Sequence, residues 1–251
     1  MSNIPIKDIL FIRKYPRFLE KTSHFKKQLQ SIISNKGATT HYAGHDITFL
    51  FLGYGKKQKL PHSTIIEKLN SGKITDIVDI GAGGALDPTL KRGDLILSAE
   101  DISLDTLRPL KVKRRKEIKN IVQTLANKKK RRFFERNILT SARIIASKEE
   151  RIALYNQTKC SIVQMEHCFF LHALKNAMEP QSFGNLYITH IEIVADVVQQ
   201  KGAFLSYFLN LFHGLNYSIF LNQHYVGKVK SDFLILWLKG IKFDKRHPAA
   251  G

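Results

Sequence analysis

The chain has 251 residues, 43% of them hydrophobic, which provides for the core of one α/β domain and excludes wholesale disorder. Its 40 Lys plus Arg against 21 Asp plus Glu give a formal charge of +19, a surface that attracts anions, whether nucleotide, nucleic acid or acidic lipid. Cys160 and Cys168 form no C-x-x-C and have no metal-ligand spacing with the histidines, which fits a reducing compartment and excludes a disulfide framework.

The elements follow in chain order. Ile9–Ile12 has the length of a buried strand, and apolar residues at helical spacing predict a helix over 16–34, ended by Asn35-Lys-Gly37. His45–Leu52 is a strand running into Gly53-Tyr-Gly55, Leu60–Leu69 a helix, Asp76–Ile80 an apolar strand followed by a turn at Gly81-Ala-Gly-Gly84, and Asp94–Ala99 the next strand. Residues 108–136 break the pattern with two basic clusters, KVKRRKEIK and NKKKRRFFER, around the helical IVQTLA. Strands are then expected at Ile138–Ala146, Cys160–Met165 and Leu186–Val194, with helices at Lys148–Asn156 and His167–Ala177. The aromatic-rich tail from about 203 reads as helices at 203–213 and 231–241 around a hairpin at 217–230. This alternation predicts a sheet with helices on its faces. No linker divides it, so one domain over 1–251 is expected. The apolar part of the N-terminus is too short for a secretory signal, and no stretch approaches about 18 uninterrupted apolar residues. A cytoplasmic chain is the expectation.

Four blocks, in order, resemble the nucleoside phosphorylase and nucleosidase superfamily, most of all its hydrolytic members of the methylthioadenosine/S-adenosylhomocysteine nucleosidase type. They are Gly53-Tyr-Gly55-Lys56, similar to a G-x-G-K turn; GAGGALDPTLKRGDLIL at 81–97, similar to a Gly-rich turn followed by L-x-P-x-L-K-x-G-D and a strand; Val163-Gln-Met-Glu166, similar to V-x-M-E; and Val194-Ala-Asp196-Val197, similar to I-S-D-x. The second block is the specific one. The resemblance implies a three-layer α/β/α domain with a mixed central sheet, no metal or redox cofactor, a nucleoside substrate and a homo-oligomer, such as a dimer.

It also implies roles. Asp196 is the general acid that protonates the purine leaving group at N7, where a proton lowers the cost of N-glycosidic cleavage. Glu166 accepts hydrogen bonds from the ribose hydroxyls and favours positive charge on the sugar, with Met165 packed against it. Gly81, Ala82 and Gly83 let the backbone approach the ligand closely. Phosphorylases carry a hydroxyl where this chain has Ala82, which favours water as the nucleophile. The carboxylate that activates water falls at Phe18 when counted without gaps, and Glu20 is the nearby candidate. In the base pocket, Ser141-Ala-Arg143-Ile144-Ile145 replaces a Gly-Asp and a stacking Phe, leaving Ile145 to pack on the base and placing the Arg143 cation where an acid is usual. Ala195 stands where a serine neighbours the acid.

Other functions stay open at this level. Phosphorolysis, futalosine hydrolysis or cleavage of adenosyl-hopane would keep the fold, and the last would suit the aromatic tail and basic surface at an anionic membrane. A non-catalytic relative binding nucleotide or RNA through the basic clusters and Phe133 and Phe134 is the reading from another class.

Overall fold

In a computed structural model of the protein, the described residues are 8–13, 38–42, 45–51 and 63–198, together with the helical positions Val229, Asp232, Phe233 and Leu236. Nine strands form one mixed sheet: β1 (Asp8–Arg13), β2 (Ala38–Tyr42), β3 (His45–Phe51), β4 (Ile74–Ala85), β5 (Leu95–Ser103), β6 (Pro109–Leu110), β7 (Phe133–Thr140), β8 (Ile162–Gln164) and β9 (Tyr187–Asp196). Among the described residues, five continuous helices accompany them: α1 (Ser63–Asn70), α2 (Ile118–Lys128), α3 (Lys148–Thr158), α4 (His167–Ala177) and α5 (Pro180–Asn185). The expected α/β fold in a single domain is the fold found.

The strand order is β2-β3-β1-β4-β8-β7-β5-β6, and β9 pairs with both β4 and β5. The circuit β4–β8–β7–β5–β9 therefore closes on itself. Each strand of that ring sends an apolar side chain to one shared cluster: Ala85, Ile96, Ile138, Ile162 and Val194. Closing the ring gives each of its strands a partner on both edges over part of its length, which fixes which strand ends meet. A second cluster joins Ile65 and Leu69 of α1, Ile77 of β4, Phe170 and Leu174 of α4 and Ile188 of β9, fastening the helices to the sheet.

Local chemistry explains most boundaries. α2 buries Ile118, Ile121, Val122, Leu125 and Ala126, an apolar stripe at helical spacing. α3 opens on Ser147, whose hydroxyl accepts from the Glu150 N–H at 3.1 Å, and closes on Lys159 in the left-handed region at φ 57°. The strand expected at Ile138–Ala146 instead spans Phe133–Thr140, in parallel register with β5 from Leu95 to Ser103. Ser141 ends it: its Oγ donates to the Arg143 carbonyl at 2.8 Å and accepts from the Arg143 N–H at 3.1 Å, turning the chain. β2 and α5 were not expected. The helix expected over 16–34 and the tail elements at 203–213 and 231–241 lie outside the described residues, wholly or but for single helical positions, and Val229, at the end of the expected hairpin, is helical.

The expected glycine turn is corrected. β4 does not stop at Ile80; it continues through Gly81-Ala-Gly-Gly84 to Ala85, paired in parallel with β9 from Gly81 opposite Glu192 to Gly84 opposite Asp196. The glycines serve close approach between strands. A Cβ on Gly83 would lie 2.7 Å from the Val163 carbonyl oxygen and 3.0 Å from Ile162 Cγ1, because β8 crosses there. Gly83→Ala is therefore expected to destabilise the fold by about 1–3 kcal/mol, since the obstacle is backbone that cannot swing aside. A urea midpoint equal to that of the wild type would contradict this account of the ring.

Candidate active site

The register of β4 builds a notch. β1 pairs with it as far as Asp79, and β8 joins the ladder only at Gly84, so over Ile80–Gly83 that edge has no strand partner among the described residues. β8 runs antiparallel to β4, with Val163 opposite Gly84, so Gln164, Met165 and Glu166 lead back along the open edge. On the other side β9 brings Asp196 opposite Gly84. Three sequence blocks thus border the same stretch of β4: Gly81, Ala82 and Gly83 on the strand itself, Met165 and Glu166 at the start of α4 along one edge, and Asp196 at the end of β9 along the other. Chain leaving β1 at Arg13 starts beside Asp79 of β4; Glu20 lies outside the described residues.

Glu166 is buried, and its position is set by a neighbour that sequence reading missed. Gln164 Oε1 accepts from the Glu166 N–H at 2.5 Å and the His167 N–H at 3.0 Å, satisfying the first amides of α4. Gln164 Nε2 donates to Thr140 Oγ1 at 2.5 Å, which ties this helix start to β7. Gln164, the second residue of V-Q-M-E, is thereby an anchor.

Asp196 is half-buried and paired with a second missed residue. Arg151 of α3, only 8% exposed, donates from Nη2 to Asp196 Oδ2 at 2.5 Å and from Nε to the Ile145 carbonyl at 2.9 Å. The guanidinium lies against β4, where a Cβ on Gly84 would stand 3.4–3.5 Å from it. Ile145 itself is buried beside Leu139, Leu154 and Val163, and its carbonyl joins the site through Arg151. The cation expected from Arg143 is elsewhere: Arg143 pairs with Glu150 at the surface, because the Ser141 turn carries it outward. Arg151 supplies the cation instead.

The specific block at 81–97 is architectural. Asp87 Oδ1 accepts from the Thr89 N–H and hydroxyl at 2.8 and 2.7 Å, and Asp94 accepts from the Lys91 N–H at 2.6 Å and Arg132 Nε at 3.0 Å. Gly93 adopts φ +83°, and its N–H reaches the Val194 carbonyl at 2.8 Å. This turn docks on β9 two residues before Asp196.

Below the notch lies a buried chain of acids and histidines. His167 Nδ1 stands 2.8 Å from Asp79 Oδ2 and its Nε2 3.5 Å from Asp101 Oδ2; His190 Nδ1 is 2.6 Å from Asp101 Oδ1 and its Nε2 2.9 Å from Glu192 Oε1. All five residues are at most 2% exposed. His190, Glu192 and Val194 are successive positions on one face of β9, so this polar chain adjoins the apolar core of the ring. Asp79, His167 and His190 bring possible ligand atoms within 4.8 Å of one another. The two rings, however, stack with centroids 3.7 Å apart and planes 14° apart. Their in-plane lone pairs run side by side and do not converge on one ion, which is the geometry of a hydrogen-bonded chain.

The charges follow from that chain. Burial alone would lower the His190 pKa, but the Asp101 charge and the bonds to Asp101 and Glu192 outweigh it and hold the ring up at about 10. Burial would raise Asp101, yet the charges of His190 and His167 keep it well below the usual carboxylate range. His190, raised from 6.5, stabilises the fold fully below that value and loses its contribution as pH climbs towards about 10. Asp101, depressed from 3.8, contributes above that value and loses it as pH falls further. The urea midpoint is expected to be lower at about pH 9 than at about pH 6. An unchanged or higher midpoint at the alkaline pH would contradict the charged chain.

The basic clusters are partly consumed inside the fold. Arg114 donates to the Ala99 carbonyl at 3.0 Å and pairs with Glu135 at 3.1 Å, while Arg115 binds Asp76 through two bonds of 2.5 and 2.7 Å beneath the Tyr187 ring. Arg132 donates to the Thr89 carbonyl at 2.9 Å as well as to Asp94. Burial pushes the Cys160 thiol up to about 11, so it is no nucleophile at neutral pH.

A mixed sheet closed into a ring, with a Gly-rich strand flanked on one edge by a V-x-M-E segment and on the other by an acidic strand end, is the architecture of a known α/β class. Residues 8–176 match the Phosphorylase superfamily, and the chain belongs to that family. The match includes Glu166 and ends before β9 and Asp196. Solved structures share the fold. The 5′-methylthioadenosine/S-adenosylhomocysteine nucleosidase of Campylobacter jejuni superposes with a TM-score of 0.62 at 12% identity, over 94% of this chain and 99% of its own. A futalosine hydrolase mutant of Helicobacter pylori gives 0.61 at 15% identity, over 92% and 99%. The H. pylori nucleosidase with butyl-thio-DADMe-Immucillin-A gives 0.63 at 15%, over 92% and 98%. No curated protein matches by sequence. Among the described residues no helix is long and apolar enough to cross a membrane.

Proposed function

We propose that the protein is a nucleosidase that hydrolyses the N-glycosidic bond of a purine nucleoside, of the kind acted on by methylthioadenosine/S-adenosylhomocysteine nucleosidases. The observation that carries this reading is the arrangement around β4: Gly81–Gly84 lie on the strand, Met165 and Glu166 follow β8 along one edge, and Asp196 ends β9 on the other edge, opposite Gly84. In the proposed mechanism Glu166 takes the ribose hydroxyls. Its negative charge favours the positive charge that builds on the sugar as the bond to the base breaks. Met165 packs on the ribose, and Asp196 passes a proton to N7 of the departing base. Water completes the reaction at the sugar carbon, with Glu20 as its proposed activator. Ala82, which has no hydroxyl to hold phosphate, supports water over phosphate as the nucleophile. The similar solved structures include nucleosidases and a futalosine hydrolase, which agrees with a hydrolytic reading. The test is product analysis on a panel of 5′-substituted and unsubstituted purine nucleosides with and without phosphate. Free base with free sugar, and no stimulation by phosphate, is the expected result. Sugar 1-phosphate formed in proportion to added phosphate would replace hydrolysis by phosphorolysis.

A further inference from the structure

We infer that the protein also carries a docking surface for single-stranded nucleic acid, built from Lys91, Lys130, Arg131, Arg132, Phe134 and Arg136. It stands whether or not a nucleoside is cleaved. Charge is the first observation. Residues 111–136 hold 12 Lys and Arg against 2 acids, a surplus of 10 within the chain's formal +19. The acids that meet this segment are already spent. Glu135 pairs with Arg114 and Lys119, Asp76 with Arg115, Asp94 with Arg132, and Asp232 with Lys128 and Lys129. Lys91, Lys130 and Arg136 are exposed and make no ion pair among the described residues, so their charge faces solvent.

The fold gathers these side chains. Lys130 adopts φ 53°, and the Arg131 N–H reaches the Ala126 carbonyl at 2.9 Å, so the chain turns sharply as it leaves α2. Arg131 lies across Gly93, where a Cβ would stand 3.0 Å from its Nε. The Lys91 N–H and the Arg132 guanidinium share the Asp94 carboxylate. Arg132 and Arg136 stand over the Phe134 ring, 5.2 and 5.9 Å from its centroid. β8 joins β7 only at Ile138, so residues 133–137 are open on that edge among the described residues. Guanidinium groups held in this way bind phosphate oxygens and offer flat faces on which unpaired bases stack. A duplex hides those base faces. A membrane fits less well, because interfacial binding inserts apolar side chains. The exposed large apolar side chains among the described residues are Leu107 and Ile144, neither in this group.

The test is fluorescence anisotropy of a labelled oligouridine of about 15 nucleotides, titrated with the full chain over a salt series. Binding is expected at low salt, with log Kobs falling against log salt at a slope of about −2 to −3.5, the value for roughly three to five neutralised phosphates. Lys91→Ser, Lys130→Asn and Arg136→Gln, combined in one variant, are expected to weaken binding by about 10-fold or more and to flatten the slope by about 2. Lys111→Gln with Lys116→Gln is the control. Those two exposed cations flank Lys113, which bridges to Tyr187 at the start of β9, while the turn at Gly93 docks on Val194 near its end. The control is expected to bind nearly as the wild type does. An equal loss in the control would show an effect of overall charge and overturn the inference. So would no binding at low salt, binding unaltered in the triple variant, or pelleting with phosphatidylserine vesicles that the oligonucleotide does not displace. Should the triple variant fail to fold, Arg136→Gln alone takes its place, with the slope expected to flatten by about 1 and an unchanged slope overturning the inference.

Discussion

Asp196→Asn is expected to lower kcat/KM for base release by about 100- to 10,000-fold, the range over which a positioned general acid accelerates proton transfer. Asparagine keeps an oxygen for Arg151, so the pair at Nη2 and the packing against Gly84 survive while the transferable proton is lost. The loss should fall on kcat, because the acid acts on the departing base and not on the resting nucleoside. Glu166→Gln is the companion: it retains volume and one acceptor oxygen but removes the charge facing the sugar, for a loss of about 10- to 100-fold. A steady-state comparison with matched urea midpoints checks both. Either variant working at the wild-type rate would remove that residue from the mechanism.

Asp101→Ala is expected to cost about 3–5 kcal/mol of stability, the largest single loss among the fold-directed substitutions. Asp101 lies between two stacked histidines, 2.6 Å from His190 and 3.5 Å from His167, and removing it leaves a buried charged ring facing an empty space. Asp101→Asn keeps the shape and an acceptor for His190, so its cost should be the smaller of the two. Denaturant midpoints rank the pair. The chain also ties together β4, β5, β9 and the start of α4, the elements that carry or support the candidate site, so a fall in activity should accompany the fall in stability. Wild-type stability in Asp101→Ala would show that the buried chain does not hold these elements.

Much of the fold could be read in the sequence because local signals were strong. The apolar runs of β3, β5 and β9 and the helix His167–Ala177 lie where periodicity puts them, and the L-x-P-x-L-K-x-G-D block encodes a turn whose carboxylates and positive-φ glycine close on themselves within a few residues. The glycines of Gly81–Gly84 were legible as a place of close approach but misread as a turn. What they approach is β8, about 80 residues later, and nothing local announces a strand that far away. Asp196 and Glu166 carried family signals of their own. Arg151 did not: it sits in an ordinary capped helix, and its meaning comes from a partner 45 positions on.

The buried chain had a signal that sequence reading passed over. Asp79 in IVDIG, Asp101 in SAEDIS, and His190 and Glu192 in HIEIV are ionisable residues inside otherwise apolar strands, a pattern that asks for buried partners. Which partners they find depends on the ring: β4 and β9 set Asp79 opposite His190 through a register between strands more than 100 residues apart. Tertiary closure of that kind leaves no trace in the periodicity of either strand.

Cleavage of an N-glycosidic bond beside β4 is open to one decisive measurement. Purified protein is incubated with the purine nucleoside panel in phosphate-free buffer, and free base is followed by chromatography for the wild type and for Asp196→Asn. Free base is expected from at least one nucleoside with the wild type, at a rate that falls by about 100-fold or more in the variant. No base released from any nucleoside, or equal release by the two proteins, would contradict it.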